Sequence, residues 1–228
     1  MLKSMILKLY LNSTYFLFRI EYSFVLRLFF FKHSIVYLRA LLNLNSFFMY
    51  GLVNKAIKDL VTENHGDEAW EKVCEIAEFH EGDFISMSPY PDKLTFDLVG
   101  AVCQVLKADA NDVLEAFGEY WILYTADQGY GNLMDLTGGS FVDFLGNLDM
   151  LHHRISNMMP ELRPPMFSTR NEKENSVELE YRSHREGLIP MLYGLIKGLG
   201  KRFEMEVQVK QIEEKSETND AHVFLISW

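Results

Sequence analysis

One histidine in this chain lies where its side chain could act as a buried metal ligand. It shares the apolar face of a predicted helix, at steps of three and four residues, with Phe141, Leu145, Leu148, Ile155 and Met159. This histidine is His152, whereas His153 lies about 100° further round the helix, on the polar side. His152 is therefore either an inward-facing nitrogen ligand or a core histidine with a satisfied hydrogen bond.

A second group of polar side chains shares one face of a predicted strand. Residues 177–185 alternate, so Tyr181, Ser183 and Arg185 point to the same side as two preceding aliphatic residues. Arginine offers a planar fork suited to a carboxylate, and the two hydroxyls can donate to the remaining lone pairs. The alternative is an ordinary edge strand whose end reaches solvent.

A buried nitrogen ligand and an anion clamp together meet the needs of heme. This cofactor is an apolar disc with iron at its centre and two carboxylates at one edge. The two groups thus indicate which cofactor to consider, although each group alone has an ordinary structural explanation.

The order and spacing of these residues resemble the heme-nitric oxide/oxygen binding (H-NOX) family, which includes bacterial gas sensors and the heme domain of soluble guanylate cyclase. The resemblance covers residues 49–228 and rests on segments 49–54, 117–121, 148–152, 163–167, 181–185 and 194–199. Its most specific element is Tyr-x-Ser-x-Arg at residues 181–185. It implies that His152 binds the iron of one heme b per chain, and that Tyr181, Ser183 and Arg185 bind the heme carboxylates.

The resemblance also assigns further residues to the heme pocket. It implies that Pro165 presses the porphyrin out of planarity, although a Pro-Pro pair is also a common helix stop and connector. It places Trp121, Met191 and Val53 over the open face of the iron, where each could instead be ordinary packing.

The residues expected over the open face bear on the choice of gas. Ligation by one histidine leaves the sixth position of the iron free for a diatomic gas. In oxygen-binding relatives a tyrosine on the helix after Tyr-x-Ser-x-Arg donates a hydrogen bond, but residues 187–192 contain none. Tyr193 lies about 200° round the helix from Met191, and Trp121 keeps an N–H that can donate. We therefore expect a nitric oxide sensor that excludes oxygen.

The resemblance further implies how such a sensor signals. Nitric oxide weakens the iron bond on the opposite side, His152 is released, and its helix moves. No kinase, cyclase or methyl-accepting segment follows in this sequence, so we expect the signal to pass to a separate histidine kinase or diguanylate cyclase. We expect no catalytic residues.

Other functions with the same residues are a carbon monoxide, oxygen or redox sensor, a heme enzyme such as an oxygenase that consumes nitric oxide, or a heme-free binding module. The enzyme is disfavoured because the predicted distal segment offers few acid–base groups.

Helical periodicity comes first along the chain and strand periodicity later. Helices are predicted at 50–64, 67–79, 92–107, 110–126, 138–159 and 187–201, and strands at 166–169, 176–184, 203–209 and 222–228. Polar turns are predicted at 169–175 and 213–220. This order predicts an α+β fold, with a helical N-terminal half, an antiparallel four-stranded sheet in the C-terminal half, and the heme between them.

Residues 1–48 differ in composition from the predicted domain at 49–228. They lack Gly and Pro, and six Lys or Arg against one Glu give a charge of +5, while the whole chain carries −10. These charges interrupt every apolar run, so no integral membrane insertion is expected, since a spanning helix needs roughly 20 apolar residues. The segment is either a peripheral amphipathic helix or A/T-rich upstream sequence read as protein; we favour the second, with translation starting at Met49.

The remaining charge of −15 argues against nucleic acid as a partner, because its phosphates require a basic surface. Cys74 and Cys103 lack metal-ligand spacing, so we expect reduced thiols in a cytoplasmic protein.

Overall fold

The computed structural model describes residues 47–80 and 82–228, and it confirms the α+β prediction. Its helices are α1 (Gly51–His65), α2 (Asp67–Ile76), α3 (Asp92–Leu106), α4 (Ala110–Thr125), α5 (Gly131–Asp135), α6 (Phe141–Gly146), α7 (Leu148–Met158) and α8 (Ile189–Arg202). A π-type turn, Ala126–Tyr130, links α4 to α5. The strands are β1 (Phe48–Tyr50), β2 (Pro89–Pro91), β3 (Met166–Lys173), β4 (Ser176–Arg182), β5 (Gln208–Glu213) and β6 (His222–Ser227).

The N-terminal half is a helical layer around its own apolar core. Helices α1 to α4 bury side chains such as Ala56, Val73 and Leu98, which are almost fully shielded from solvent. Helix α4 begins where Asp109 accepts a hydrogen bond from the backbone N–H of Asn111, at 2.8 Å, a common form of N-terminal capping. This layer forms one wall of the cavity described below.

The C-terminal half is built on a four-stranded antiparallel sheet with strand order β3-β4-β6-β5. The alternation predicted for β4 is confirmed, because Val177, Leu179 and Tyr181 are buried while the intervening residues are more exposed. On the outer face Arg170 forms ion pairs with Glu178 and Glu180. The inner face therefore supplies a second apolar core, on which α8 packs.

Helices α4 and α8 cross at glycines, which permits very close approach. A Cβ atom on Gly194 would lie 1.9 Å from the carbonyl oxygen of Glu115, and one on Gly118 would lie 2.2 Å from that of Met191. Both positions therefore require glycine for steric reasons. The crossing brings α4 and α8 together at the wall of the cavity.

The prediction of one helix over 138–159 was wrong. The structure has two helices, α6 and α7, which meet at Asn147. The Asn147 side chain donates to the carbonyl of Thr137 at 2.8 Å, and asparagine favours such local bonds over helix interiors. The apolar face survives the break, because Phe141, Leu145 and Met159 are all buried.

Two boundaries near the sheet were also wrong. The predicted polar turn at 169–175 is mostly strand, since β3 continues to Lys173 with an irregular register after Arg170. The predicted strand at 203–209 begins only at Gln208. Residues 203–205 still donate to carbonyls in the last turn of α8, and Glu204 has a φ of 55°, so these residues cap the helix.

A short ladder of β1 with β2 was not predicted. The compact unit begins at Phe47, two residues before the predicted start of the domain at Met49. The predictions for residues 1–46 lie outside the described residues. Within the described part of the chain, no helix combines the length and the hydropathy needed to span a bilayer.

Candidate functional site

A cavity of about 300 Å³ lies between the two apolar cores. Its volume is at the lower end of the roughly 300–1,000 Å³ found for small-molecule sites. All eight residues that the sequence analysis selected line it: Val53, Trp121, His152, Pro165, Tyr181, Ser183, Arg185 and Met191. Most of the other lining residues are aliphatic or aromatic, so the cavity suits a large apolar ligand with a few fixed polar contacts.

His152 faces an environment that keeps its imidazole neutral. Burial lowers the pKa of this imidazole from 6.5 to about 4, and the nearby carboxylate of Asp149 offsets only part of that effect. A neutral imidazole is the form that binds metals. His153 is exposed, as predicted.

Helix α7 holds His152 against strand β3. The imidazole stacks on the ring of Phe167, with 5.3 Å between centroids and an angle of 18° between planes. The backbone N–H of Phe167 donates to the Asp149 carboxylate at 3.3 Å. These contacts fix both the helix and the ring, so His152 has a defined orientation at the cavity wall.

Tyr181 and its neighbours lie at another part of the same cavity. Strand β4 ends at Arg182, so Ser183 and Arg185 belong to the following turn and not to the predicted strand face. The turn forms because the backbone N–H of Arg185 donates to the Ser183 hydroxyl at 3.0 Å, a local bond that competes with strand pairing. Burial raises the pKa of the Tyr181 phenol, which remains a hydrogen-bond donor.

The guanidinium of Arg185 is held by several acceptors. It forms a bidentate pair with the Asp92 carboxylate, with Nε–Oδ2 at 2.7 Å and Nη2–Oδ1 at 3.1 Å. It also donates to the carbonyls of Arg163, at 2.6 Å, and Phe48, at 3.1 Å. The planar fork that we predicted for an external carboxylate is therefore turned towards Asp92. What remains available to a ligand is the unused N–H at Nη1, because the Asp92 carboxylate compensates the positive charge.

Sequence reasoning missed Asp92. It stands at the first position of α3, directly after Pro91, where an acidic residue is common for helix stability alone. Its pairing with Arg185 joins positions 93 residues apart, and no local pattern signals such a contact. The side chains of Arg185 and Asp92 are only 6% and 13% exposed, so this is a nearly buried ion pair.

The residues predicted for the gas-binding side also line the cavity. Val53, Trp121 and Met191 come from α1, α4 and α8, respectively. Tyr193 is directed away from the cavity, because its hydroxyl accepts from the backbone N–H of Gln211 on β5 at 3.3 Å. This agrees with the position predicted for Tyr193, about 200° round the helix from Met191.

Two further tyrosines line the cavity and were not selected from the sequence. They are Tyr50 at the end of β1 and Tyr130 in the π-type turn. The Tyr130 hydroxyl is 3.6 Å from the sulfur of Met87, which it can use as an acceptor. Neither position belongs to a helical stripe that periodicity could have identified.

Pro164 and Pro165 lie in the extended connector between α7 and β3, as their lack of a backbone donor predicts. The carbonyl of Arg163, directly before them, accepts from Arg185. The connector thus touches the polar end of the cavity while Pro165 lines its wall.

The residues present fit heme. An apolar cavity matches the porphyrin disc, a neutral imidazole matches the iron, and a phenol, a hydroxyl and a guanidinium match the carboxylates. His152 would hold the metal, and Tyr181, Ser183 and Arg185 would hold the carboxylates.

Comparisons with known proteins agree with this geometry. A family model described as Haem-NO-binding matches residues 50–211. The chain is 30% identical over 179 residues to soluble guanylate cyclase gcy-35 of Caenorhabditis elegans, covering 77% of this chain and 26% of that protein. It is 31% identical over 163 residues to soluble guanylate cyclase gcy-32 of the same organism, covering 70% and 24%. The chain thus spans about a quarter of the length of these relatives.

The fold also matches a solved structure. An H-NOX protein from S. oneidensis, in the Fe(II)NO ligation state, superposes with a TM-score of 0.70 at 22% identity. The match covers 78% of this chain and 98% of that protein.

Proposed function

The chain belongs to the Haem-NO-binding, or H-NOX, family, and from this premise we propose that it is a heme-based sensor that binds nitric oxide and excludes oxygen. The observation that carries the proposal is the neutral imidazole of His152 in the wall of an apolar cavity. When bound, ferrous heme supplies the position at which a diatomic gas binds. The free thiols Cys74 and Cys103 suit the cytoplasmic location that we propose.

The polar end of the cavity supports binding of one heme b per chain. Tyr181 and Ser183 supply hydroxyl donors, and Arg185 supplies the unused N–H at Nη1. Hydrogen bonds to charged groups contribute about 1.5–3 kcal/mol each, so these residues favour retention of a ligand with two carboxylates.

The gas-binding side supports selectivity for nitric oxide, with carbon monoxide as a second ligand of the same site. An oxygen ligand would gain from a hydrogen-bond donor beside it. By resemblance, Met191 takes the helix position at which oxygen-binding relatives carry a donor tyrosine, and the hydroxyl of Tyr193 is bonded elsewhere. Apolar contacts accept nitric oxide without such a donor.

The position of His152 supports a role in signalling. It lies on an eleven-residue helix, α7, which follows a break at Asn147. We propose that His152 is released when nitric oxide binds and that α7 then moves, which makes the helix a two-state element biased by ligand. In the cyclase relatives the matched segment is part of a longer chain. Here we propose that the effector is a separate histidine kinase or diguanylate cyclase, and that this chain is not itself an enzyme.

The test replaces His152 with alanine in the full chain, expressed with ample iron and heme precursor. We expect the wild type to be coloured and its reduced spectrum to change with nitric oxide but not with air. The His152→Ala variant should lose heme and regain it with free imidazole, which can enter the vacated space. The matched control is His153→Ala, which changes an exposed neighbour and should keep the wild-type spectrum.

Four results would contradict the proposal. A colourless wild type would exclude heme binding, and an unchanged Soret band in His152→Ala would exclude His152 as the ligand. A reduced spectrum that converts to a stable oxygen complex in air would exclude the selectivity for nitric oxide. Turnover of nitric oxide with NADH would identify an enzyme.

A further inference from the structure

We propose that Phe47 and Phe48, which precede the segment matched by the family, position Arg185 as part of the carboxylate clamp. The inference rests on the proposed function, because the clamp acts only if a ligand with carboxylates is bound. It concerns the two residues at the junction with the N-terminal segment, which the sequence analysis placed outside the domain.

Phe48 contacts Arg185 through its backbone. Its carbonyl accepts from Nη2 of Arg185 at 3.1 Å. The same residue pairs with Pro91 in the β1–β2 ladder and forms a parallel bridge with Leu162. Phe48 therefore links the start of α3 with the connector that precedes Pro164 and Pro165, and its carbonyl is held in place on both sides.

Phe47 contacts both members of the Arg185–Asp92 pair. Its ring centroid is 5.9 Å from Cζ of Arg185, within the range of a cation–π contact. Its carbonyl accepts from the backbone N–H of Asp92 at 2.9 Å. The ring also stacks on His184, with 5.8 Å between centroids and 11° between planes.

The contacts of Phe47 explain why the Arg185 side chain is shielded from solvent although the Phe47 ring itself is partly exposed. Phe47 is 38% exposed, whereas the Arg185 side chain is only 6% exposed. The aromatic ring thus keeps water from the guanidinium, and charge interactions strengthen as water is excluded. Without Phe47 the guanidinium would be more hydrated and less fixed, so its attraction for a ligand carboxylate would fall.

The first experiment measures heme loss from the full chain to an excess of apomyoglobin. Phe47→Ala should release heme about two- to fivefold faster, which corresponds to the typical strength of an exposed cation–π contact. It should not change the release of heme dimethyl ester, which lacks the carboxylate charges. Phe47→Trp should restore the slow release, because an aromatic face is retained. Ile212→Ala is the control, since Ile212 is similarly exposed at 40% but lies on β5 outside the cavity.

Equal acceleration of heme and ester release by Phe47→Ala would overturn the proposal, because it would show a general structural role. Unchanged release of heme would overturn it as well. A wild type that binds no heme would instead refute the proposed function. The positioning of Arg185 is then decided by hydrogen exchange at its Nε–H in the heme-free chain, which Phe47→Ala should accelerate by a similar factor; an unchanged exchange rate would overturn the inference.

Peptide mapping of the native protein supplies an independent check. The inference requires translation to begin upstream of Phe47, in contrast to the start at Met49 that the composition of residues 1–48 favours. A native peptide that contains Phe47 and Phe48 supports the inference, and a native N-terminus at Met49 overturns it.

Discussion

The buried imidazole of His152 should make the heme-free protein sensitive to acid. Burial lowers its pKa from 6.5 to about 4 in the folded state. In the unfolded chain the His152 imidazole takes up a proton near pH 6.5, whereas in the folded protein it does so only near pH 4. Between these values the unfolded state binds more protons, so the free energy of unfolding falls as the pH decreases. The contribution of the neutral His152 imidazole to the free energy of unfolding is fully present above pH 6.5 and is lost as the pH falls towards 4.

The size of this effect follows from the shift. Each pKa unit corresponds to about 1.4 kcal/mol, so the drop from 6.5 to about 4 amounts to about 3 kcal/mol. Native domains are stable by only about 5–15 kcal/mol, so a loss of this size is readily measured. His152→Leu fills the same place in the cavity wall with an apolar side chain and removes the titrating group. It should therefore remove this part of the acid sensitivity.

The assay is urea unfolding of heme-free wild type and His152→Leu between pH 7 and pH 4.5. The stability difference between the two proteins should shift in favour of the variant by about 2–3 kcal/mol over that interval, as expected from the linkage between protonation and stability. His153→Leu makes the same chemical change at an exposed neighbour and should follow the wild-type curve. Parallel curves for wild type and His152→Leu would refute the reasoning, because they would show that the imidazole is solvated in the folded state.

Three further predictions concern the residues around the cavity. Asp92→Asn should lower the free energy of unfolding by about 3 kcal/mol in urea, since it leaves the nearly buried charge of Arg185 without its partner; an unchanged midpoint would show that the pair is solvated. Gly194→Ala should destabilise the protein by about 1–3 kcal/mol, because its Cβ would meet the Glu115 carbonyl. Gly100→Ala, in open space on α3, should instead stabilise it by about 0.5–1 kcal/mol, and equal effects at both glycines would contradict the account of the helix crossing. Met191→Tyr should place a donor in the cavity and produce an oxygen complex that survives in air; a spectrum unchanged by air would show that a donor at this position does not govern oxygen binding.

Local periodicity was sufficient to find two residues that line the cavity, His152 and Tyr181, whereas Val53, Trp121, Pro165 and Met191 were found through the family resemblance. The helical stripe placed His152 inward and His153 outward, and alternation placed Tyr181 on the buried face of β4. Both patterns depend only on the geometry of a single element, and burial of one face fixes that geometry. The α+β fold followed from the order of such elements.

The errors occurred where a local side chain or a distant partner decides the structure. Asn147 ends one helix through its own hydrogen bond to Thr137, and the Ser183 hydroxyl turns the chain before Arg185. Periodicity does not register either bond, because the predicted helical stripe continues past Asn147 and the predicted strand alternation continues past Ser183. Asp92 was missed for a different reason, since its partner lies far away in sequence.

Phe167 connects the two parts of the site that the sequence treats as separate. Its ring stacks on His152 and lies 5.4 Å from the ring of Tyr181, its pairing partner on β4. Its backbone N–H is bonded to Asp149 on the same helix as His152. A change in the position of α7 therefore acts directly on β3 and on the phenol at the carboxylate end, without an intervening flexible segment. Since packed interiors transmit displacement rather than absorb it, the proposed iron ligand and carboxylate clamp are mechanically coupled through one aromatic side chain.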